Sequence, residues 1–202
     1  MAARNVAATD IAVTGRSTVY FADAVHRTIG YIDEQGRTRT LYDGGEIAMP
    51  SGLALSPDQA MLIVTDRQSR FSWSFQIAGD GSLINGEPFY RLETPESGWK
   101  SGVQGAVEDA DGQVYFASPL VVQFCEANGR VAGILNPPEH GVVTGLAFAG
   151  KNLDWLYVAE GGKLFRRPVK VRGVAVGRPT KAPAAPWRHC EGCQDGEARL
   201  QK

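Results

Sequence analysis

Three acidic residues, Asp23, Asp66 and Glu160, stand at the ends of short apolar runs that resemble one another. Carboxylates at such matched positions have two chemical roles open to them. They can line the mouth of a shared channel, or each can accept hydrogen bonds from the backbone of the turn that follows it. Because Asp at a strand end commonly does the latter, we expect turn caps, and a channel-lining role is the alternative.

Two histidines, His26 and His140, lie in predicted loops. An imidazole titrates near neutral pH, so either side chain has the chemistry of a general base. The sequence identifies no acidic or nucleophilic partner for either of them. We therefore expect both histidines to be solvated loop residues.

A cluster of soft metal ligands, His189, Cys190 and Cys193, lies near the C-terminus. A structural zinc site takes four ligands, usually from two separated pairs, and Cys125 is the one further thiol in the sequence. We therefore expect a polar tail there rather than a metal site. An odd number of cysteines also argues against a full disulfide framework. Since the first ten residues lack the apolar centre of a secretory signal, cytoplasmic localisation is the default expectation.

An internal repeat provides the elements that must position any functional residue. Four similar apolar runs recur along the chain: Val19–Asp23, Leu62–Asp66, Val114–Ser118 and Leu156–Glu160. They begin 43, 52 and 42 residues apart, and each is preceded by a run of small residues starting at Thr9, Ser51, Gln104 and Thr144. A period of this length indicates a solenoid or a propeller.

Each repeat is predicted to be built from β-strands. The runs are rich in Val, Ile, Tyr and Phe and stop at Gly, Asp, Asn or Pro, a pattern typical of short strands. Third strands are predicted in three of the repeats: Thr28–Ile32, Phe71–Ile77 and Val121–Cys125. Charged residues in Arg37–Leu41 indicate a solvent-facing fourth strand. Four antiparallel strands per repeat describe a propeller blade, so we predict an all-β chain with about four blades.

Composition limits the range of partners. The chain has 202 residues, 43% of them hydrophobic, and a formal net charge of −1. This charge gives no electrostatic basis for binding nucleic acid or an anionic membrane surface. No apolar stretch approaches the roughly 18 to 20 residues of a membrane-spanning helix. We therefore expect neither nucleic-acid nor membrane partners.

The predicted boundaries are residues 1–175 for the partial propeller and residues 176–202 for a tail. This tail is rich in Pro and Ala and lacks any periodicity, which predicts disorder. Four blades form either a small closed ring or an open arc, and an arc leaves blade edges that invite self-association. A polar insertion, Glu93–Gly102, accounts for the longer second repeat and contains Trp99. Two roles are open for it: a substrate lid, or a surface loop without function.

Several segments, taken in order, resemble the regucalcin (senescence marker protein), gluconolactonase and luciferin-regenerating enzyme family. The stretch Met49–Asp58 is similar to the family's Pro-Asn-Gly-Leu-Ala-Phe-Ser-Pro-Asp element, and Gln104–Tyr115 is similar to its Asp-Gly-Met segment. Further matches follow at Val122–Val131, Thr144–Gly150 and Lys163–Arg172. This resemblance implies a six-bladed lactonase-type propeller, of which residues 8–175 correspond to the C-terminal part.

The resemblance also implies a site in the central tunnel. Family members hold a divalent cation, calcium or zinc, through a Glu, an Asn and an Asp, and they hydrolyse sugar lactones by metal-activated water. The Asn and Asp ligands correspond to Ser51 and Gln104, and a substrate-contacting Asn corresponds to Thr9, with Asp10 beside it. Thr144 occupies the matching position in the fourth repeat. These five residues are the predicted tunnel-lining set.

Two substitutions in that set weaken the predicted cation site. Ser51 offers a neutral hydroxyl, and Gln104 removes a carboxylate, while the family's Glu has no counterpart in this sequence. Because hard dications depend on charged oxygen ligands, we expect no metal ligands at these positions. Three readings stay open: a gluconolactonase-type hydrolase, a propeller that binds a small molecule or protein without turnover, and a chain that needs a partner to complete the ring.

Overall fold

The computed structural model describes residues 6–96, 98–119, 121–136, 139 and 141–178. These residues form fifteen β-strands in four antiparallel sheets, each of which is one propeller blade. Blade 1 contains β1 (Ala8–Val13), β2 (Val19–Asp23), β3 (Thr28–Ile32) and β4 (Thr38–Asp43). Blade 2 contains β5 (Pro50–Leu55), β6 (Met61–Asp66), β7 (Phe71–Ile77) and β8 (Leu83–Arg91). The prediction of an all-β propeller is confirmed.

The other two blades follow the same plan with one difference. Blade 3 contains β9 (Gly105–Glu108), β10 (Val114–Ala117), β11 (Val122–Cys125) and β12 (Val131–Leu135). Blade 4 has three strands in the described part of the chain: β13 (Val143–Ala149), β14 (Trp155–Glu160) and β15 (Lys163–Pro168). The predicted four-strand blade is therefore seen in three of the four repeats.

Turns between neighbouring strands are set by glycines with a left-handed backbone. Gly36, Gly81 and Gly129 have φ angles of 76°, 83° and 76°, respectively. These angles are strained for residues that carry a Cβ atom, whereas glycine adopts them freely. The turns at these three glycines join the outer two strands of blades 1 to 3.

Apolar packing between consecutive blades holds the propeller together. Tyr20 of blade 1 and Leu62 of blade 2 are buried in one cluster, and Ile63 and Phe116 are buried in the next. The side chains of β6 alternate between these two clusters because successive residues of a strand point to opposite faces of its sheet. Blades 2 and 3 are thereby buried on both faces against their neighbours.

The four blades form an arc around the four innermost strands, β1, β5, β9 and β13. These strands contact one another in chain order, and in the described residues β1 and β13 make no comparable contact. Ile11 of blade 1 and Leu164 of blade 4 are 57% and 68% exposed. Self-association through these blades stays a prediction.

The chain after blade 4 is described as far as residue 178. Most of the predicted tail, including His189, Cys190 and Cys193, lies outside the described residues. The described part of the chain contains no helix that is long and apolar enough to cross a membrane.

Candidate functional site

A cavity of about 530 Å³ runs along the innermost strands of all four blades. Equivalent residues of the four repeats form successive rings around it. We call the end where these strands begin, at Thr9, Ser51, Gln104 and Thr144, the upper end. The end where they finish, at Val13, Leu55, Glu108 and Phe148, is the lower end. The repeat therefore places equivalent residues of the blades at matching levels along one cavity.

Close backbone approach defines the upper end. A Cβ atom added to Gly52 would lie 2.6 Å from the Cα of Gly105, and one added to Gly105 would lie 3.8 Å from the Cα of Gly145. Real Cβ atoms essentially never come within 3.0 Å of another heavy atom. Glycine at position 52 is therefore required for β5 and β9 to approach this closely.

Ser51 is buried in the wall of the upper end and does not line the cavity. Its Oγ lies 2.8 Å from Thr65 Oγ1 and donates a hydrogen bond of 2.8 Å to the carbonyl oxygen of Val103. The Thr65 hydroxyl also accepts a bond of 2.6 Å from the Gly52 amide. The hydroxyl of Ser51 thus ties β5 to β6 and to the chain before β9.

The other predicted residues at this level line the cavity. Thr9 donates to the carbonyl oxygens of Ala22 and Pro50, at 3.2 and 3.3 Å, and Thr144 donates to Ala159 at 3.4 Å. Both hydroxyls are therefore engaged by the blades themselves. The side-chain amide of Gln104 has no hydrogen-bond partner among the residues that the structure describes.

Asp10 also lines the cavity, but its carboxylate serves the backbone. Oδ2 accepts a hydrogen bond of 2.8 Å from the Leu53 amide of blade 2, and Oδ1 accepts one of 2.8 Å from the Ile11 amide. Burial raises the pKa of Asp10, while these two amide donors oppose that shift. Asp10 therefore joins the inner strands of blades 1 and 2.

At the lower end, the innermost strands finish with three apolar side chains and one carboxyl. Val13, Leu55 and Phe148 occupy three of the four equivalent positions there, and Glu108 occupies the fourth. Its Oε2 atom is buried and has no hydrogen-bond partner. Burial, with the nearby carboxylates of Asp109 and Asp58, raises the pKa of Glu108 to about 8. Near neutral pH this carboxyl is therefore largely protonated.

A second, side cavity of about 420 Å³ opens between blades 2 and 3 and shares Glu108 and Ser56 with the central one. Glu108 thus stands at the junction of two cavities. The central cavity is bounded near this end by residues 174–176. Their segment is anchored on blade 3, where the Ala110 amide donates a hydrogen bond of 2.7 Å to the carbonyl of Arg172.

Two of the acidic residues after the second strands cap the turns that follow them, as expected. Asp23 accepts from the Val25 and His26 amides at 3.1 and 2.9 Å, and Asp66 accepts from the Gln68 amide at 2.9 Å. Glu160 instead accepts a bond of 2.7 Å from the Gly141 amide, which precedes β13 in the chain. None of the three lines the central cavity.

His26 has a partner that the sequence did not reveal. Its Nδ1 lies 2.7 Å from Oδ2 of Asp23, and 55% of the histidine side chain is exposed. Burial acts to raise the pKa of Asp23, but hydrogen bonds from His26 and Ala7 outweigh it and lower that pKa. This pair lies away from the central cavity. His140 lies outside the described residues.

Two further candidates lie apart from the cavity. Cys125 is a free, buried thiol packed among residues of blades 2 and 3, and burial raises its pKa to about 12. Such a thiol is a poor metal ligand, because the thiolate is the form that binds metal. Trp99 is 72% exposed and lies under the guanidinium of Arg70, 4.8 Å from the ring centre.

A divalent cation does not fit the residues at the upper end. Ser51 directs its hydroxyl to protein oxygens, and Gln104 contributes a neutral amide. In the part of the chain that the structure describes, no three His, Cys, Asp or Glu side chains are arranged to hold a metal ion. A hard dication prefers several oxygen ligands with negative charge among them, and this end supplies only Asp10, whose oxygens already accept backbone hydrogen bonds.

The fold and its central cavity define a propeller of the lactonase type. The sequence model of the SMP-30/gluconolactonase/LRE-like region matches residues 24–161. This match spans more than half of the chain, so the chain belongs to that family. No curated protein sequence matches the chain at a significant level.

Solved structures agree on the fold. A gluconolactonase from Xanthomonas campestris matches with a TM-score of 0.67 and 20% identity, over 79% of this chain and 56% of its own. A calcium-binding regucalcin from Agrobacterium tumefaciens matches with a TM-score of 0.70 and 18% identity, over 86% and 65%. A luciferin-regenerating enzyme matches with a TM-score of 0.70 and 18% identity, over 85% of this chain and 64% of its own. The chain thus spans less than two thirds of each relative, and likeness at this identity shows the fold alone.

Glu108 is the cavity residue that sequence reasoning missed. The repeat contained a signal for it, since the fifth residues of the four inner runs are Val13, Leu55, Glu108 and Phe148. One carboxyl among three apolar side chains departs from the pattern. The residues that match the family ligands stand at the first position of each run, whereas Glu108 stands at the fifth.

Proposed function

We propose that the central cavity binds a small, uncharged, sugar-derived lactone. The observation that carries this proposal is the cavity itself, which traverses all four blades and has about 530 Å³. Small-molecule sites typically have volumes of about 300 to 1,000 Å³. Family membership supports the ligand class, because a gluconolactonase is among the relatives that share the fold.

The charges around the cavity favour an uncharged ligand. Asp10 and Glu108 are the ionisable side chains among its described lining residues, and no Lys, Arg or His is found there. A carboxylate ligand in this cavity would meet no positive partner, and an unpaired buried charge is costly. A lactone carries ring and carbonyl oxygens that accept hydrogen bonds without a net charge.

Metal-dependent hydrolysis, the activity that the resemblance implies, has less support in this chain. Ser51 and Gln104 do not fit a hard dication. We therefore propose ligand binding that needs no cation, and lactone ring opening at the upper end is not part of this proposal.

Calorimetry with a stable five-membered lactone of a six-carbon sugar acid tests the proposal. At pH 6 we expect saturable binding to the folded chain that EDTA leaves unchanged and calcium does not strengthen. Absence of binding would contradict the lactone proposal. Binding that requires calcium or zinc would restore the metal-dependent function.

The double variant Ser51→Asn with Gln104→Asp provides the matched comparison. These substitutions restore the two family ligand types, so calcium binding in the variant and not in the native chain would show that the upper end lacks only its ligands. Calcium-dependent lactone hydrolysis by the native chain would mean that Ser51 and Gln104 do not prevent the binding of a cation.

A further inference from the structure

We propose that Glu108 is the ligand-recognition residue of the central cavity, and that its carboxyl donates a hydrogen bond to the lactone. This inference rests on the proposed lactone ligand. It assigns recognition to the lower end of the cavity, whereas the family resemblance points to the upper end.

The first support is the isolation of Glu108 among apolar equivalents. The other three repeats place Val13, Leu55 and Phe148 at this level, so the fold needs no polar group there. Oε2 of Glu108 is buried without a hydrogen-bond partner. Buried polar atoms are nearly always paired in folded proteins, and each exception asks for an explanation. Because Glu108 lines the central cavity, rotation of its carboxyl towards that cavity would let a ligand oxygen satisfy this atom.

The second support is the charge of the surroundings. Neighbouring blades and turns present the following titratable side chains to Glu108 or to the cavities that it lines: Asp10, Asp58, Glu87, Tyr90, Asp109 and Asp111. None of these groups is basic. A carboxyl in such surroundings favours its neutral form, because burial and like charges both disfavour ionisation.

The protonation state then sets the direction of the hydrogen bond. A neutral carboxyl has one O–H donor, whereas an ionised carboxylate only accepts. The neutral acid therefore matches the carbonyl or ring oxygen of a lactone. A hydroxy-acid anion would bring a second negative charge into a cavity whose described lining has no cation, so it is disfavoured at every pH at which it is ionised.

Calorimetric titrations of native chain, Glu108→Gln and Glu108→Leu between pH 6 and pH 9 test this inference. The probes are a five-membered sugar lactone and the sodium salt of its hydroxy acid. For the native chain, lactone affinity should fall about tenfold at pH 9, one unit above the pKa of about 8, because only the protonated fraction binds. Glu108→Gln keeps a donor and should bind with little pH dependence, whereas Glu108→Leu should lose at least tenfold in affinity at pH 6.

Discrimination against the hydroxy acid is the second readout. At pH 6 the native chain should prefer the lactone at least tenfold because the cavity lining has no cation for the anion, and Glu108→Gln should keep this preference since both side chains are uncharged there. Glu126→Gln serves as the control, since Glu126 is exposed and lines neither cavity. Equal lactone affinity and pH dependence in all variants would overturn the role of Glu108 and leave the lactone proposal standing. Lactone binding by none of them would overturn both.

Discussion

The upper and lower ends of the cavity use their polar side chains differently. At the upper end, Ser51, Thr9 and Asp10 are committed to backbone or hydroxyl partners in their own or the adjacent blade. At the lower end, Glu108 has a buried oxygen without any partner. Ser51, Thr9 and Asp10 thus hold the blades together, while Gln104 at the upper end and Glu108 at the lower end keep polar atoms free to meet a ligand.

This difference shows why position within a motif does not by itself assign chemistry. A polar side chain at the start of an inner strand can replace a metal ligand and still be retained for its hydrogen bonds. The cost of leaving such a buried group unpaired is about 1–3 kcal/mol. Function must therefore be argued from the hydrogen bonds that each group has left to make.

Gly52→Ala, at the upper end of the cavity, should cause the largest loss in the free energy of unfolding. The new Cβ would lie 2.6 Å from the Gly105 Cα. Because the Cβ is fixed to the backbone of β5 and the Cα is part of the backbone of β9, neither atom can move away cheaply. We expect a loss of about 3 kcal/mol in the free energy of unfolding, as overpacking commonly costs. Urea denaturation measures it. Gly79→Ala is the control, because its Cβ would meet no atom within 4 Å, and an equal loss there would contradict the packing argument.

Ser51→Ala should lower the free energy of unfolding by a smaller amount than Gly52→Ala. It removes the hydroxyl that bridges Thr65 and Val103 inside the wall. We expect about 2 kcal/mol lower stability in urea denaturation and unchanged lactone affinity, because Ser51 does not line the cavity. A variant of full stability with abolished ligand binding would mean that Ser51 is a site residue after all.

Whereas Gly52→Ala and Ser51→Ala should lower the free energy of unfolding, Glu108→Gln should raise it, and only at higher pH. The folded-state pKa of Glu108 lies near 8, above the ordinary 4.5, so the unfolded chain holds fewer protons between these values. Native stability therefore falls as pH rises from about 4.5 to 8. We expect the variant to be more stable than the native chain by on the order of 1–2 kcal/mol at pH 9. The difference should shrink towards pH 4.5, and a pH-independent difference in urea denaturation would contradict it.

Trp99→Ala should have the smallest effect. Trp99 is largely exposed, and its contact with Arg70 is a surface cation–π pair, which contributes about 0.5–1 kcal/mol at exposed sites. Since Trp99 does not line the central cavity, lactone affinity by calorimetry should stay within twofold. A loss of tenfold or more would establish the inserted loop as a substrate lid.

Much of the fold could be predicted because the same physical pattern recurs four times. Apolar runs such as Val19–Asp23 and Leu156–Glu160 became second strands, and Gly36 and Gly81 took the left-handed backbone that hairpin turns require. Repetition makes each weak local signal support the others. The missing fourth strand in the described part of blade 4 was not foreseen, since nothing in β15 marks it as the last strand of its sheet.

The site was less predictable, since it depends on hydrogen bonds between blades. The sequence suggests that Ser51 and Asp10 lie near the tunnel, but not that Val103 and Leu53 engage them. The isolation of Glu108 likewise becomes visible only when strands from different repeats are placed around one cavity. Its charge at an otherwise apolar repeat position was the available clue.

A ¹H–¹⁵N NMR titration of the native chain with the five-membered lactone at pH 6 shows which end of the cavity binds the ligand. We expect the largest amide shifts at the lower end, around Glu108, Gln59 and Val176, and we expect them to be the same with calcium or EDTA. Shifts that centre on the amides around Ser51 and Gln104, and that appear only when calcium is present, would contradict this expectation.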